Sequence, residues 1–205
     1  PGADGTVRGV GRAAMALDAA EVTGTLRREV AEHGVLHTWE HVLRPVLVAL
    51  GERWAATGQG VEVEHLVSDC AASVLRAVAA TAAEDRSRRP VLLAGAPDDH
   101  HALPLHALAA ALAERGIGSR TLGPSLPAES VRAAVQRTGP ALLFLWAQLP
   151  GTAARAELEG LPVTRPATAV VVGGPGWDPA RLPDRVTVAT DLGHAVELAE
   201  RALGA

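Results

Sequence analysis

The sequence predicts an all-α part followed by an α/β part: a four-helix bundle over residues 7–84, then a doubly wound parallel sheet over residues 90–205. Three observations carry this. Apolar residues recur every three or four positions throughout the first part. Five short apolar runs then follow, four of them trailed by helical segments. Between the two lies a polar stretch, AEDRSRRP, with the composition of a linker.

The elements follow in order. RAAMALD and AAEVTGTLRREVAEHG each read as a helix, the second closed by Gly34. In VLHTWEHVLRPVLVALGERW, Trp39, Leu43, Val46, Leu50 and Trp54 line one helical face, and Pro45 inside the run should kink it. Gly58 and Gly60 break that helix. Glu62 and Glu64 suit the positive end of the next, which continues through HLVSDCAASVLRAVAATAA. The strands are VLLAGA, RTLG, ALLFLW, AVVVGG and VTVAT. Helical segments HALPLHALAAALAERG, AESVRAAVQRTG, AARAELEG and DLGHAVELAERALG follow four of them, and a loop follows AVVVGG. Five parallel strands with right-handed crossovers fit a flavodoxin-like, Rossmann-type sheet, whose ligands bind at the carboxyl ends of the strands.

Composition narrows the function. The chain has 205 residues, 48% hydrophobic and 20% charged, as expected of a folded soluble domain. Its longest apolar stretch, PALLFLWAQLP, is too short to span a membrane, and no secretory pattern opens the chain. A cytoplasmic protein is expected, and the start PGADG, without methionine, suggests a fragment or a processed chain. All 19 basic residues are arginines, so Schiff-base lysine chemistry and a Walker-type phosphate loop are excluded. A net charge of −4 argues against grip on nucleic acid by this chain itself. The cluster Arg86-Ser-Arg88-Arg89 reads as a solvated linker, and the lone Cys70 as a small core residue. No nucleophile–base constellation suggests an enzyme.

The first strand ends in GAPDDHH, at the favoured ligand edge. In Asp99-x-His101 a carboxylate can fix one ring nitrogen while the other meets a metal; Asp and His equally populate loops and caps without binding anything. No cysteine pair or HExxH accompanies them, so zinc is disfavoured. Gly173 and Gly174 let a ligand approach the backbone, or form a plain turn. Trp54 either continues the bundle core from Trp39 or covers a flat ligand.

Together the motifs W-x9-EH (Trp54, Glu64, His65) and D-x-H-x-x-G … S-x-L … GG resemble the cobalamin-binding module of CarH- and LitR-like light-responsive regulators of the MerR family. The resemblance covers about residues 7–204. It implies adenosylcobalamin between bundle and sheet, His101 as the lower axial cobalt ligand and its only metal-binding residue, and Trp54 above the corrin. Glu64 and His65 would then contact the adenosyl group, and Gly173 and Gly174 would lie beside the nucleotide tail. Three positions depart from the pattern: Pro104 replaces the motif glycine, Trp146 the serine of S-x-L, and Ala55 a histidine that ligates cobalt after photolysis. Trp146 would narrow the tail pocket or stack on the tail, and His37 or His41 could stand in for the histidine missing at Ala55.

The function so implied is a photoreceptor that forms a homo-oligomer, dimer or tetramer, and reaches DNA only through a helix-turn-helix domain outside this chain. One alternative resembles the photocobilins, which bind a bilin such as biliverdin beside cobalamin. Another is a corrinoid methyl carrier for a methyltransferase. The plainest is a flavodoxin-like module for another nucleotide.

Overall fold

The computed structural model of the chain describes residues 3–83 and 88–204. Arg86 and residue 84, the expected end of the helical part, lie outside the described residues.

The helical part comprises α1 (Ala3–Met15), α2 (Ala19–Thr38), a π-helical turn (Trp39–Leu43), α3 (Arg44–Thr57) and α4 (Val61–Ala79). Asp18 caps α2 by accepting the Glu21 amide. Gly34 leaves helical geometry (φ 81°, ψ 170°), so α2 proper ends there as expected and a new helical run starts at Val35. That run continues without a break through α3. Instead of the kink predicted at Pro45, the wider π turn sits just before it, with the Arg44 amide donating to the Trp39 carbonyl. Proline brings no amide of its own and crowds the carbonyl four residues back, and a π turn absorbs that mismatch. Gly58 closes α3 in the left-handed region.

The sheet part comprises β1 (Val91–Gly95), α5 (Leu103–Glu114), β2 (Ser119–Gly123), α6 (Ala128–Thr138), β3 (Leu142–Trp146), α7 (Pro150–Ala153), β4 (Ala169–Gly173), β5 (Val186–Val188) and α8 (Leu192–Leu203). All four strand pairings are parallel, and the order β2-β1-β3-β4-β5 is the flavodoxin-like one. The topological switch point falls between β1 and β3. There the loop after Gly95 and the residues after Trp146 stand side by side.

Two expectations need correcting. AARAELEG is not a full helix: α7 gives way to 3₁₀ turns at Ala154–Ala156 and Leu158–Gly160, with Glu157 left-handed between them (φ 49°). Its buried residues Ala153, Ala156 and Leu158 pack into the apolar cluster formed with Leu143, Leu145 and Val172 of the sheet. Nor is Arg89 a solvated linker residue. Its guanidinium donates to the carbonyls of Gly139, Pro140, Pro166 and Ala167, tying the loops at the amino-terminal edge of the sheet.

The helical and sheet parts share one apolar core. Val67, Val74 and Leu75 of α4 join Leu105, Leu108 and Leu112 of α5, and α5 has 8 of its 12 residues buried. Cys70 is part of this core, as expected, its thiol 3.6 Å from the Ala19 carbonyl. Among the described residues no helix is long and apolar enough to cross a membrane.

One hydrogen-bonded contact and one charge proximity indicate the register of bundle on sheet. Glu114, at the end of α5, accepts the Val35 amide with both carboxylate oxygens at 3.0 Å. His106, in the first turns of α5, feels the charge of Arg76 from α4. At 1.5 Å per residue, Trp54 stands about 28 Å along the helix from Val35, and Glu64 about 18 Å back along α4 from Arg76. Both distances carry past the start of α5, at the end of the molecule where β1 and β3 present their carboxyl termini.

Candidate functional site at the carboxyl edge of the sheet

The site is built on Asp99. Its side chain is fully buried and accepts four hydrogen bonds: His101 N (3.1 Å), His101 Nδ1 (2.8 Å), Gln148 N (2.6 Å) and Thr152 Oγ1 (2.8 Å). Burial pushes its pKa up. The donors from Gln148, Thr152 and His101 together outweigh burial and leave the carboxyl below its ordinary value of 3.8. An ionised carboxylate can only accept, so His101 Nδ1 carries a proton, and in the neutral ring Nε2 then holds the lone pair. The ring is half exposed (52%) on the ligand edge, so that lone pair is available to a metal.

The loop carrying these groups is held on both sides. Asp98 takes a left-handed conformation (φ 61°) and pairs with Arg155, while the Asp99 carbonyl accepts the Ser125 amide at 2.8 Å. Gly95 is required at the loop's start, since a Cβ there would lie 2.9 Å from Pro124 Cα. Pro104 falls in the first turn of α5, where its missing amide leaves no gap in the helix.

On the bundle, Trp54 is 55% exposed, whereas Leu43, Val46 and Leu50 on the same stripe are buried. The stripe that suggested a core position for Trp54 therefore ends one turn before it. Glu64 and His65 stand at the start of α4, with His65 Nε2 3.7 Å from Glu64 Oε2 and Ser68 Oγ donating to Glu64 Oε1 at 2.7 Å. Ala55, beside Trp54, is exposed and offers no donor. His37 and His41 cannot replace it. Their rings lie against one another at a 44° tilt (centroids 4.5 Å apart), and His41 lies about 20 Å from Trp54 along the helix axis.

Trp146 ends β3, half buried, with its indole Nε1 buried and unpartnered. Gly173 and Gly174 pack against it, but their Cβ space is filled by the protein itself. A Cβ on Gly173 would come 2.6 Å from the Phe144 ring; one on Gly174 would come 2.2 Å from the Ala147 carbonyl oxygen. Internal packing by itself therefore requires glycine at both positions. The sequence reading missed Thr152 and Gln148, which complete the Asp99 network. A threonine three residues into an irregular segment carries no motif, and Gln148 contributes only its backbone amide.

The donor set itself indicates what kind of metal would fit. Among the described residues no group of three or more His, Cys, Asp or Glu is placed to hold a metal ion. A single oriented imidazole suits a metal that arrives with its equatorial positions already filled, and a broad exposed indole suits a flat apolar face. A corrinoid meets both conditions. The cavity of about 250 Å³ at the opposite edge, lined by Arg89 and Pro90 among others, contains none of these groups.

Four helices packed on a parallel sheet, with an oriented imidazole at the switch point, define a ligand-binding architecture with a helical part beside the sheet. The comparisons specify it. Residues 7–79 match the family described as "B12 binding domain". The chain is 33% identical over 128 residues to the HTH-type transcriptional repressor CarH of Myxococcus xanthus, covering 62% of this chain and 42% of that repressor. The resemblance to CarH-like regulators read from the motifs therefore holds, for a chain that spans less than half the length of this relative. In fold it is similar to the monomethylamine corrinoid protein of Methanosarcina barkeri (TM-score 0.68, 16% identity, 95% of each chain). It is also similar to the methanol:cobalamin methyltransferase complex MtaBC of Methanosarcina barkeri (TM-score 0.50, 16% identity, 100% of this chain and 81% of that one).

Proposed function

We propose that this chain binds a cobalamin between its helical and sheet parts and acts as a sensor module rather than an enzyme. His101 holds the cobalt from the sheet side, with Asp99 fixing its tautomer. Trp54 covers the opposite face, with Glu64 and His65 as hydrogen-bonding partners for an upper adenosyl group. The observation that carries this reading is the Asp99 network, which engages His101 Nδ1 and orients a half-exposed imidazole on the ligand edge, its Nε2 facing no protein partner among the described residues. A bound alkylcobalamin supplies a light-labile cobalt–carbon bond.

The chain's own part is mechanical. Trp54 and Glu64 stand on the bundle and His101 on the sheet, so a change at the upper face alters what holds the two parts together. Through that coupling the module would change conformation or oligomeric state and control transcription, by way of a DNA-binding domain outside this chain. The pair Trp54 with Glu64–His65 favours a sensor over a methyl carrier, whose upper face must stay open to a partner enzyme.

The test is an absorption spectrum of protein loaded with adenosylcobalamin in darkness, repeated after green light, for wild type and His101→Ala. We expect a histidine-ligated spectrum that changes on illumination, and loss of that ligation in the variant. Identical spectra for the two proteins would remove His101 from the cobalt. A wild type that takes up no corrinoid would end the reading altogether.

A further inference from the structure

An open groove of about 790 Å³ runs between α1 and α3, and no part of the cobalamin site uses it. Its floor is apolar: Val7 and Met15 from α1, Val46 and Leu50 from α3, with Met15 48% exposed. Gly11 opens its middle, since a Cβ there would meet no atom within 4 Å. Three arginines complete the lining, Arg8 and Arg12 on α1 and Arg53 on α3, and among the described residues no carboxylate does. Among the described residues none of the three guanidiniums has a hydrogen-bond or ion-pair partner. Arg8 and Arg12 also sit four apart on one helix, where like charges oppose each other. A chain of net charge −4 has thus gathered unpaired cations around an exposed apolar floor.

In an up-and-down bundle α1 and α3 run the same way, so Arg8 lies toward the Val46 end and Arg53 toward the Met15 end. From Arg8 to the level of Met15 is about 10 Å along the helix. We propose that this groove is a second binding site, for an elongated apolar molecule carrying a carboxylate at each end. The floor takes the hydrocarbon body, Arg8 and Arg53 take the two carboxylates, and Arg12 strengthens the field between them. The proposal does not rest on cobalamin binding, and the experiment is done on cobalamin-free protein, so the two readings fail separately.

The probes are dodecanedioate, dodecanoate and the matching diol, titrated calorimetrically at low and high salt. We expect dodecanedioate to bind about tenfold or more tightly than the diol, with dodecanoate between, and the difference to shrink in salt. Arg8→Gln with Arg53→Gln should weaken dodecanedioate about tenfold while leaving the diol unchanged. Gly11→Leu should abolish binding of all three, with the helical circular dichroism retained, because the added side chain enters open space. Equal binding of diacid and diol, no binding by any probe, or no effect of Gly11→Leu would overturn the proposal. So would a dimer that Gly11→Leu returns to monomer, assigning the groove to a second copy, or binding confined to anionic phosphatidylglycerol vesicles.

Discussion

Glu114 and Val35 join the two parts of the molecule: the carboxylate ending α5 accepts the first amide of the helical run that carries Trp54. Gly34 makes this possible by turning out of the helix and leaving that amide open, with its own Cβ position 3.6 Å from the Glu114 oxygens. The bond is an N-cap supplied by another part of the chain, and such caps are worth about 1 kcal/mol. Glu114→Ala should therefore lower unfolding stability by about that amount. Because the cap also ties the start of this helical run to α5, the joint between the helical and sheet parts should become more sensitive to limited proteolysis. Unchanged cleavage in a destabilised variant would confine Glu114 to a local role.

Trp54 separates a packing role from a ligand role. With 55% of its surface exposed and the rest buried, its removal should cost the cobalamin-free protein no more than about 2 kcal/mol. Covering the remaining indole surface, roughly 100 Å², is worth about 2–3 kcal/mol, or some 50-fold in affinity. Trp54→Ala should accordingly weaken adenosylcobalamin by one to two orders of magnitude, measured by equilibrium titration in darkness. A variant that unfolds while binding normally would return Trp54 to the core.

Much of this was legible in the sequence because the signals were local. The change of period near residue 84, the glycines at 34 and 58, and five apolar runs each announce an element without reference to the rest of the chain. Asp99 and His101 were legible for the same reason, two residues apart on one loop. What stayed hidden was non-local. Thr152 reaches Asp99 across 53 positions, the Val35 cap comes from residue 114, and Arg89 gathers carbonyls from two distant loops. Trp54 shows the limit from the other side, since periodicity continued its stripe past the point where the bundle stops covering it.

His106 gives the seam between α4 and α5 a pH dependence. Burial, and secondarily the charge of Arg76, lowers its pKa below the ordinary 6.5. The unfolded chain then binds more protons than the folded one between the folded value and 6.5, and stability rises with pH over that interval. The contribution is complete above the unfolded value and is lost as pH falls through the folded one. Urea midpoints should drop between about pH 7.5 and pH 5.5 in the wild type, and drop less in His106→Leu. Equal slopes for the two proteins would exclude His106 as the source.

Gly174 tests whether the paired glycines serve the fold or a ligand. Its backbone is in the left-handed region (φ 104°), and an added Cβ would lie 2.2 Å from the Ala147 carbonyl oxygen. That oxygen already accepts the Gly176 amide at 3.0 Å, so moving it disturbs the turn that follows β4. Backbone strain alone costs about 1–3 kcal/mol at such a position, and the clash adds to it. Gly174→Ala should therefore destabilise the cobalamin-free protein by at least about 2 kcal/mol in chemical denaturation. A variant as stable as wild type that has lost only corrinoid affinity would instead place the requirement for glycine in the ligand.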